Sequence, residues 1–180
     1  MNLLALFVAI TIPVVGGFLS GYFVMKDRVN KSSLSSSSSE WYDTLQKPPW
    51  NPPRWVFGPA WTILYLLMGV ASYLVWQQGV AVSMSSNYNL LALSVYALQL
   101  LVNFSWTPVF FGAQRPDIAL IIIIVLWFMI IVTMILFYRA TPIAMYLLIP
   151  YIVWVTYATS LNAYIVYKND KHIKKLENII

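Results

Sequence analysis

Cysteine is absent from the 180 residues, and His172 is the only histidine. Disulfides, thiol nucleophiles and cysteine metal sites are therefore excluded. Charge is also scarce. Asp, Glu, Lys and Arg make up 9% of the chain, against about 25% in a soluble domain. No ionisable acid, base or cation other than tyrosine lies between Arg54 and Arg115, within 118–138 or within 140–167. Acid–base catalysis needs a positioned His, Asp, Glu or Lys. Proton-coupled pumps and transporters usually need such groups inside the membrane. Hydrolase, metalloenzyme and ion-pump readings are thus disfavoured. No catalytic residue, no metal ligand and no required cofactor is expected. His172 reads as a solvated tail residue, and Asp43 as a cap or turn residue in a loop.

What is present is apolar and aromatic: 60% of the chain is hydrophobic and 16% is Phe, Trp or Tyr. A helical span takes roughly 20 apolar residues. The pattern predicts an all-α integral membrane protein, a single domain (1–180) built as a five-helix transmembrane bundle. The spans fall at about 3–25, 56–76, 90–111, 118–138 and 142–167. The first segment lacks the basic start of a signal peptide, so it is read as a span. Pro13 and Pro150 are expected to bend their helices. Pro59 suits a first helical turn, and Thr141-Pro142 reads as a cap followed by proline at the first helical position. Residues 26–40, rich in serine, read as a flexible linker. Residues 168–180 read as a polar, basic tail.

Five spans put the termini on opposite sides. Lys26, Arg28, Lys31, Lys47, Arg54, Arg115, Lys168, Lys171, Lys174 and Lys175 then share one side, ten of the eleven cations; Arg139 alone is on the other. The positive-inside rule places the C-terminus and loop 26–55 in the cytoplasm and the N-terminus outside it. This asymmetry accounts for the net charge of +5, so no nucleic-acid partner is inferred.

The chain is organised around 41–61, where five of 21 residues are prolines and four are tryptophans. Proline removes a donor and extends its predecessor, so regular helix is not expected over 47–53. The tryptophans can anchor at a membrane surface or line a ligand wall. Aromatic stripes within the spans bear on that choice. Trp61, Tyr65 and Met68 share one helical face, as do Trp154, Ala158 and Leu161. Asn103 and Trp106 share another, with Phe110 a turn further on. Such stripes are most often packing. Ala158 nevertheless leaves room beside Trp154, and Asn103 is a buried amide that needs a partner.

These stretches resemble one family. The residues are Trp41-Tyr42-x-x-Leu45-x-Lys47-Pro48, Pro52-Pro53, Gly58-Pro59-x-Trp61 with Tyr65, Asn103-Phe-Ser-Trp106-Thr-Pro108-x-Phe110-Phe111-Gly112, and Pro150-Tyr151-x-x-Trp154-x-x-x-Ala158-x-x-Leu161-Asn162. Over about 41–170 the chain resembles the translocator protein family, also called the tryptophan-rich sensory protein or peripheral benzodiazepine receptor family. The resemblance implies a bundle, often a homodimer, in a bacterial membrane or a eukaryotic organelle membrane (mitochondrial outer or endoplasmic reticulum). It implies a cavity for planar apolar ligands: protoporphyrin IX and other tetrapyrroles, sterols, isoquinoline carboxamides and benzodiazepines. By motif position the ligand-binding residues are Tyr42, Pro52, Trp61, Tyr65, Asn103, Trp106, Phe110, Trp154, Ala158 and Leu161. Loop 41–55 would be the lid, with Trp41, Trp50 and Trp55 as surface anchors. Some relatives promote light-dependent porphyrin breakdown, and Trp61 and Trp154 would carry it here. A proposed sterol motif maps to Leu161, Tyr164 and Lys168. The chain departs from the family in its serine insert, in its extra tail and in lacking a small-residue run on span three. The expected function is a membrane receptor or carrier; the rivals are an enzyme that degrades porphyrin and a scaffold acting through partner proteins.

Overall fold

The computed structural model describes residues 2–31, 38–81 and 86–177. Among them every regular element is helical. Helix α1 is Leu3–Lys31 and α2 is Ser38–Thr44. A 3-10 turn, Arg54–Val56, leads into α3, Phe57–Ala81. Helix α4, Ser86–Thr107, continues as a π-turn, Pro108–Gly112. Helix α5 is Pro116–Ala140, and the last span is α6, Pro142–Leu147, followed by α7, Ile149–Glu177. Five stretches are long and apolar enough to cross a membrane: Leu3–Tyr22, Arg54–Val80, Asn87–Gly112, Pro116–Ala140 and Pro142–Asn169. At 1.5 Å per residue the 25 residues of α5 reach about 37 Å, enough for a hydrocarbon core of about 30 Å.

Helix ends differ from those expected. Helices α1 and α7 run past 25 and 167. Hydropathy sees where lipid ends, whereas a helix can continue into water. Most of the serine run, residues 32–37, lies outside the described residues, and Ser38 opens α2. Thr141 takes the N-cap position before Pro142 with an extended backbone, but its hydroxyl makes no cap bond; its carbonyl accepts Ala144 N–H instead. The last span breaks at Leu148, two residues before Pro150, where the missing N–H and the ring disfavour continuous helix.

Lipid offers no hydrophobic drive for helices to associate, so close packing and hydrogen bonds must hold the bundle. Prolines supply some of these contacts. Pro108 cannot bond the carbonyl of Phe104 four residues back. Ser20 Oγ of α1 donates to that carbonyl instead, at 2.6 Å. Pro13 likewise releases the carbonyl of Ala9. Gly69 of α3 lies there so closely that a Cβ would sit 2.6 Å from Ile10 Cα and 2.8 Å from Ala9 O. Helix α1 packs between α3 and α4, α4 beside α5, and α5 beside the α6–α7 span. The α6 segment closes the ring against α3.

Candidate functional site

Beyond the break at Leu148, α3 and α7 meet through ring pairs. Phe57 faces Trp154 edge-on at 5.9 Å between centroids. One turn deeper, Trp61 faces Tyr151 edge-on at 6.2 Å and stacks on Tyr65 at 5.3 Å. Trp61, Trp154 and Ala158 are partly buried against the main core, of which Tyr65 and Tyr151 are members. Five aromatic rings thus pack where the two helices meet.

A polar network lies under these rings. Tyr65 O–H donates to Asn103 Oδ1 at 2.8 Å. Asn103 Nδ2 donates to the Tyr151 hydroxyl oxygen at 2.9 Å, and Gln99 Nε2 donates to the same oxygen. Asn103 is 4% exposed, Gln99 and Tyr151 1%. Asn103 therefore finds its partners in two tyrosines. Gln99 lies one helical turn before Asn103 and shares its face; that spacing was the available signal for it. Tyr151 precedes Trp154 by three residues on the same helix.

Three span tryptophans show how selectively polar groups are met. Trp106 Nε1 donates to Asn162 Oδ1 at 3.1 Å, and Asn162 Nδ2 donates to the Pro116 carbonyl at 2.8 Å. Trp127 Nε1 donates to Thr156 Oγ1 at 2.8 Å. Trp154 Nε1 is sealed from solvent and has no acceptor. A buried donor without a partner costs about 1–3 kcal/mol.

The expected site residues fall into two groups. Trp61, Tyr65, Asn103, Trp154 and Ala158 gather between α3, α4 and α7. Tyr42 and Phe110 belong to a second cluster with Ala119 and Ile165, nearer the loop. Trp106 packs against both clusters and stacks on Phe110 at 4.8 Å. The π-turn sets this up, because its wide turn presents Phe110 and Phe111 to Tyr42 at 6.3 and 5.7 Å. Leu161 is buried. Pro52 is half-buried in the loop, its carbonyl accepting Asn51 Nδ2.

Residues 46–53 form an irregular loop, as the proline spacing predicts. Asp43 is not a simple cap: it lies in α2, pairs with Arg54 and reaches Lys47 at 3.6 Å. Lys47 Nζ lies 4.5 Å above the Tyr42 ring and donates to the Tyr42 carbonyl. Burial pushes the Tyr42 phenol above its usual 10.0, and its O–H donates to Asn51 Oδ1 at 3.0 Å. Burial holds Lys47 below the usual lysine range.

The loop is also tied to α7. Tyr157 O–H donates to the Trp50 carbonyl at 2.7 Å, and Trp50 meets Tyr164 edge-on at 5.4 Å. Gln46 N–H donates to Asn169 Oδ1 at 3.1 Å, and Asn169 Nδ2 returns a bond to Gln46 O at 3.3 Å. Of the three sterol-motif residues, Leu161 is buried, Tyr164 contacts Trp50, and Lys168 Nζ lies 5.8 Å over the Tyr164 ring. Trp55 is 73% exposed and Trp50 51%. Among the described residues no group of three His, Asp or Glu side chains could hold a metal ion.

Five apolar helices around an aromatic interhelical site define a multi-pass membrane protein. Residues 9–168 match the TspO/MBR family, and the chain belongs to it. It is 47% identical to the tryptophan-rich sensory protein of Cereibacter sphaeroides over 123 residues, covering 68% of this chain and 73% of that one. It is 34% identical to the translocator protein of Sus scrofa over 160 residues, covering 89% and 86%. Tryptophan-rich protein TspO of Archaeoglobus fulgidus is 34% identical over 162 residues, covering 90% and 95%.

Proposed function

We propose that the chain is a membrane receptor or carrier for a flat, apolar ligand, and that the ligand is a tetrapyrrole such as protoporphyrin IX. Sterols and isoquinoline or benzodiazepine-type compounds are further candidates. The observation that carries this reading is the Trp154 indole N–H, buried beside Phe57 without an acceptor. Its neighbours offer ring faces for stacking, and a carbonyl or carboxylate on the ligand would supply the acceptor. Burial of the flat faces would supply most of the binding free energy. Loop 41–55 acts as the lid, held to α7 through Trp50 and Gln46. Its prolines reduce the entropy lost on closing. The basic side, with the loop and the C-terminus, faces the cytoplasm. The tail should then be accessible to modifying reagents only from that side.

Titration with protoporphyrin IX, read by quenching of tryptophan fluorescence, tests the pocket. A folded Trp61→Ala/Trp154→Ala protein should lose the saturable quenching. Saturable quenching unchanged in that variant would reject the site.

A second reading is light-dependent breakdown of the bound porphyrin. It is favoured by Trp61, whose ring stacks on Tyr65 and touches Tyr151. Illumination should then give multiple turnovers that Trp61→Phe or Trp154→Phe abolishes. A single, non-catalytic bleaching event would leave the receptor reading alone.

A further inference from the structure

Helix α1 contributes none of the expected ligand-binding residues, yet its glycines lie against two rings beside the site. A Cβ on Gly17 would sit 2.1 Å from Tyr65 Cε2, 2.5 Å from Cζ and 2.8 Å from the hydroxyl oxygen. A Cβ on Gly16 would sit 2.4 Å from Phe104 Cε2 and Cζ. The two rings touch each other, at 6.1 Å between centroids. One turn on, Ser20 bonds the Phe104 carbonyl that Pro108 leaves free. Gly21 differs: nothing lies within 4 Å of a Cβ placed there. On this face of the helix the close approach to α3 and α4 rings thus holds at Gly16 and Gly17 and has ended by Gly21.

We infer that Gly17 is a positioning residue that sets the depth of the aromatic site through Tyr65. The inference rests on the ligand reading above. Tyr65 has three constraints on its ring: Gly17 against Cε2, Cζ and the hydroxyl oxygen, the Trp61 stack, and Asn103 at its hydroxyl. No ring atom can yield by 1 Å or more without disturbing one of the other two. A methyl on Gly17 would displace the ring and disturb its stack on Trp61 or its bond to Asn103. The gap between α3 and α7 would narrow, and a broad macrocycle would lose more than a small two-ring ligand. Gly17 would thereby select for ligand breadth.

The test is a double-mutant cycle read by protoporphyrin IX affinity and by thermal stability in detergent. Gly17→Ala should weaken protoporphyrin binding about tenfold or more, while Gly21→Ala leaves it at the wild-type value. Binding of an isoquinoline carboxamide should fall less. In a Tyr65→Leu background, where the ring is gone, Gly17→Ala should have no further effect on either readout. Equal losses in both backgrounds, or no loss in either, would overturn the inference. If Gly17→Ala alone fails to fold, Gly17→Ala/Tyr65→Leu should fold as well as Tyr65→Leu; a double variant that also fails overturns it. Failure of the ligand reading looks different. Wild type and Gly21→Ala would then both lack saturable protoporphyrin binding, while the stability cycle would still report the Gly17–Tyr65 contact.

Discussion

Replacing Tyr151 by phenylalanine removes one oxygen and keeps the ring against Trp61. That oxygen accepts hydrogen bonds from Gln99 Nε2 and Asn103 Nδ2, both fully enclosed. The variant therefore leaves two amide donors without their acceptor, in a place where water does not reach. An orphaned buried donor costs about 1–3 kcal/mol, whereas hydrogen bonds inside membrane bundles average about 0.6 and reach about 1.7 kcal/mol. The lower scale applies here, because the amides can turn and find other acceptors. Two bonds at that average then give about 1 kcal/mol. At about 2–4 °C per kcal/mol for a chain of this length, melting should fall by about 2–4 °C. The assay is thermal unfolding in detergent at one fixed scan rate, followed by tryptophan fluorescence, since such unfolding is often irreversible. A second step makes the test specific. Adding Gln99→Leu to Tyr151→Phe removes one orphaned donor and should recover part of the loss. Tyr151→Phe that melts with the wild type, or a further drop on adding Gln99→Leu, would refute the network.

Other predictions address the frame and the lid. Gly69→Ala meets backbone atoms of α1 and not a yielding side chain, so it should cost more than about 2 kcal/mol in the same melting assay, while Gly21→Ala costs little. Ser20→Ala leaves the Phe104 carbonyl unsatisfied and should cost about 1–2 kcal/mol, most of it recovered by Pro108→Ala, which restores the helical donor. Asn169→Ala removes both bonds to Gln46 and should speed proteolysis within 46–53 and ligand release, leaving melting of the bundle unchanged. Docking of the loop should also depend on alkaline pH. Tyr42 titrates above 10.0 when folded, so its contribution is complete below that value and is lost as pH rises through the raised one. Tyr42→Phe should abolish that step in Trp50 fluorescence. Lys47, shifted downward, acts with the opposite sign and remains in both proteins.

The five spans were legible because hydropathy and the clustering of cations at their ends are local, redundant signals. The site was partly legible for a similar reason: Trp61 and Tyr65, or Asn103 and Trp106, share faces by simple helical periodicity. What joins the faces was not legible. Asn103 plainly needed a partner, but Tyr65 and Tyr151 lie 38 and 48 residues away, and no spacing connects them. The tie between Gln46 and Asn169 spans 123 residues and uses backbone atoms, which carry no side-chain pattern. Pro108 announced a freed carbonyl, but not that Ser20 would take it or that the chain would widen into a π-turn presenting Phe110 and Phe111. Only the placement of α1 shows that Gly17 seats a ring while Gly21 does not.

Trp154 Nε1 offers the most direct measurement of the central claim. With 15N-labelled tryptophan, its indole resonance can be followed as protoporphyrin IX is added to the protein in detergent. Trp127, whose N–H already has an acceptor and which is not among the expected ligand-binding residues, serves as the internal reference. The Trp154 signal, identified by its loss in Trp154→Phe, should move saturably as the N–H gains an acceptor, with the Trp127 signal moving less. A ligand that binds while the Trp154 signal stays in place would contradict it.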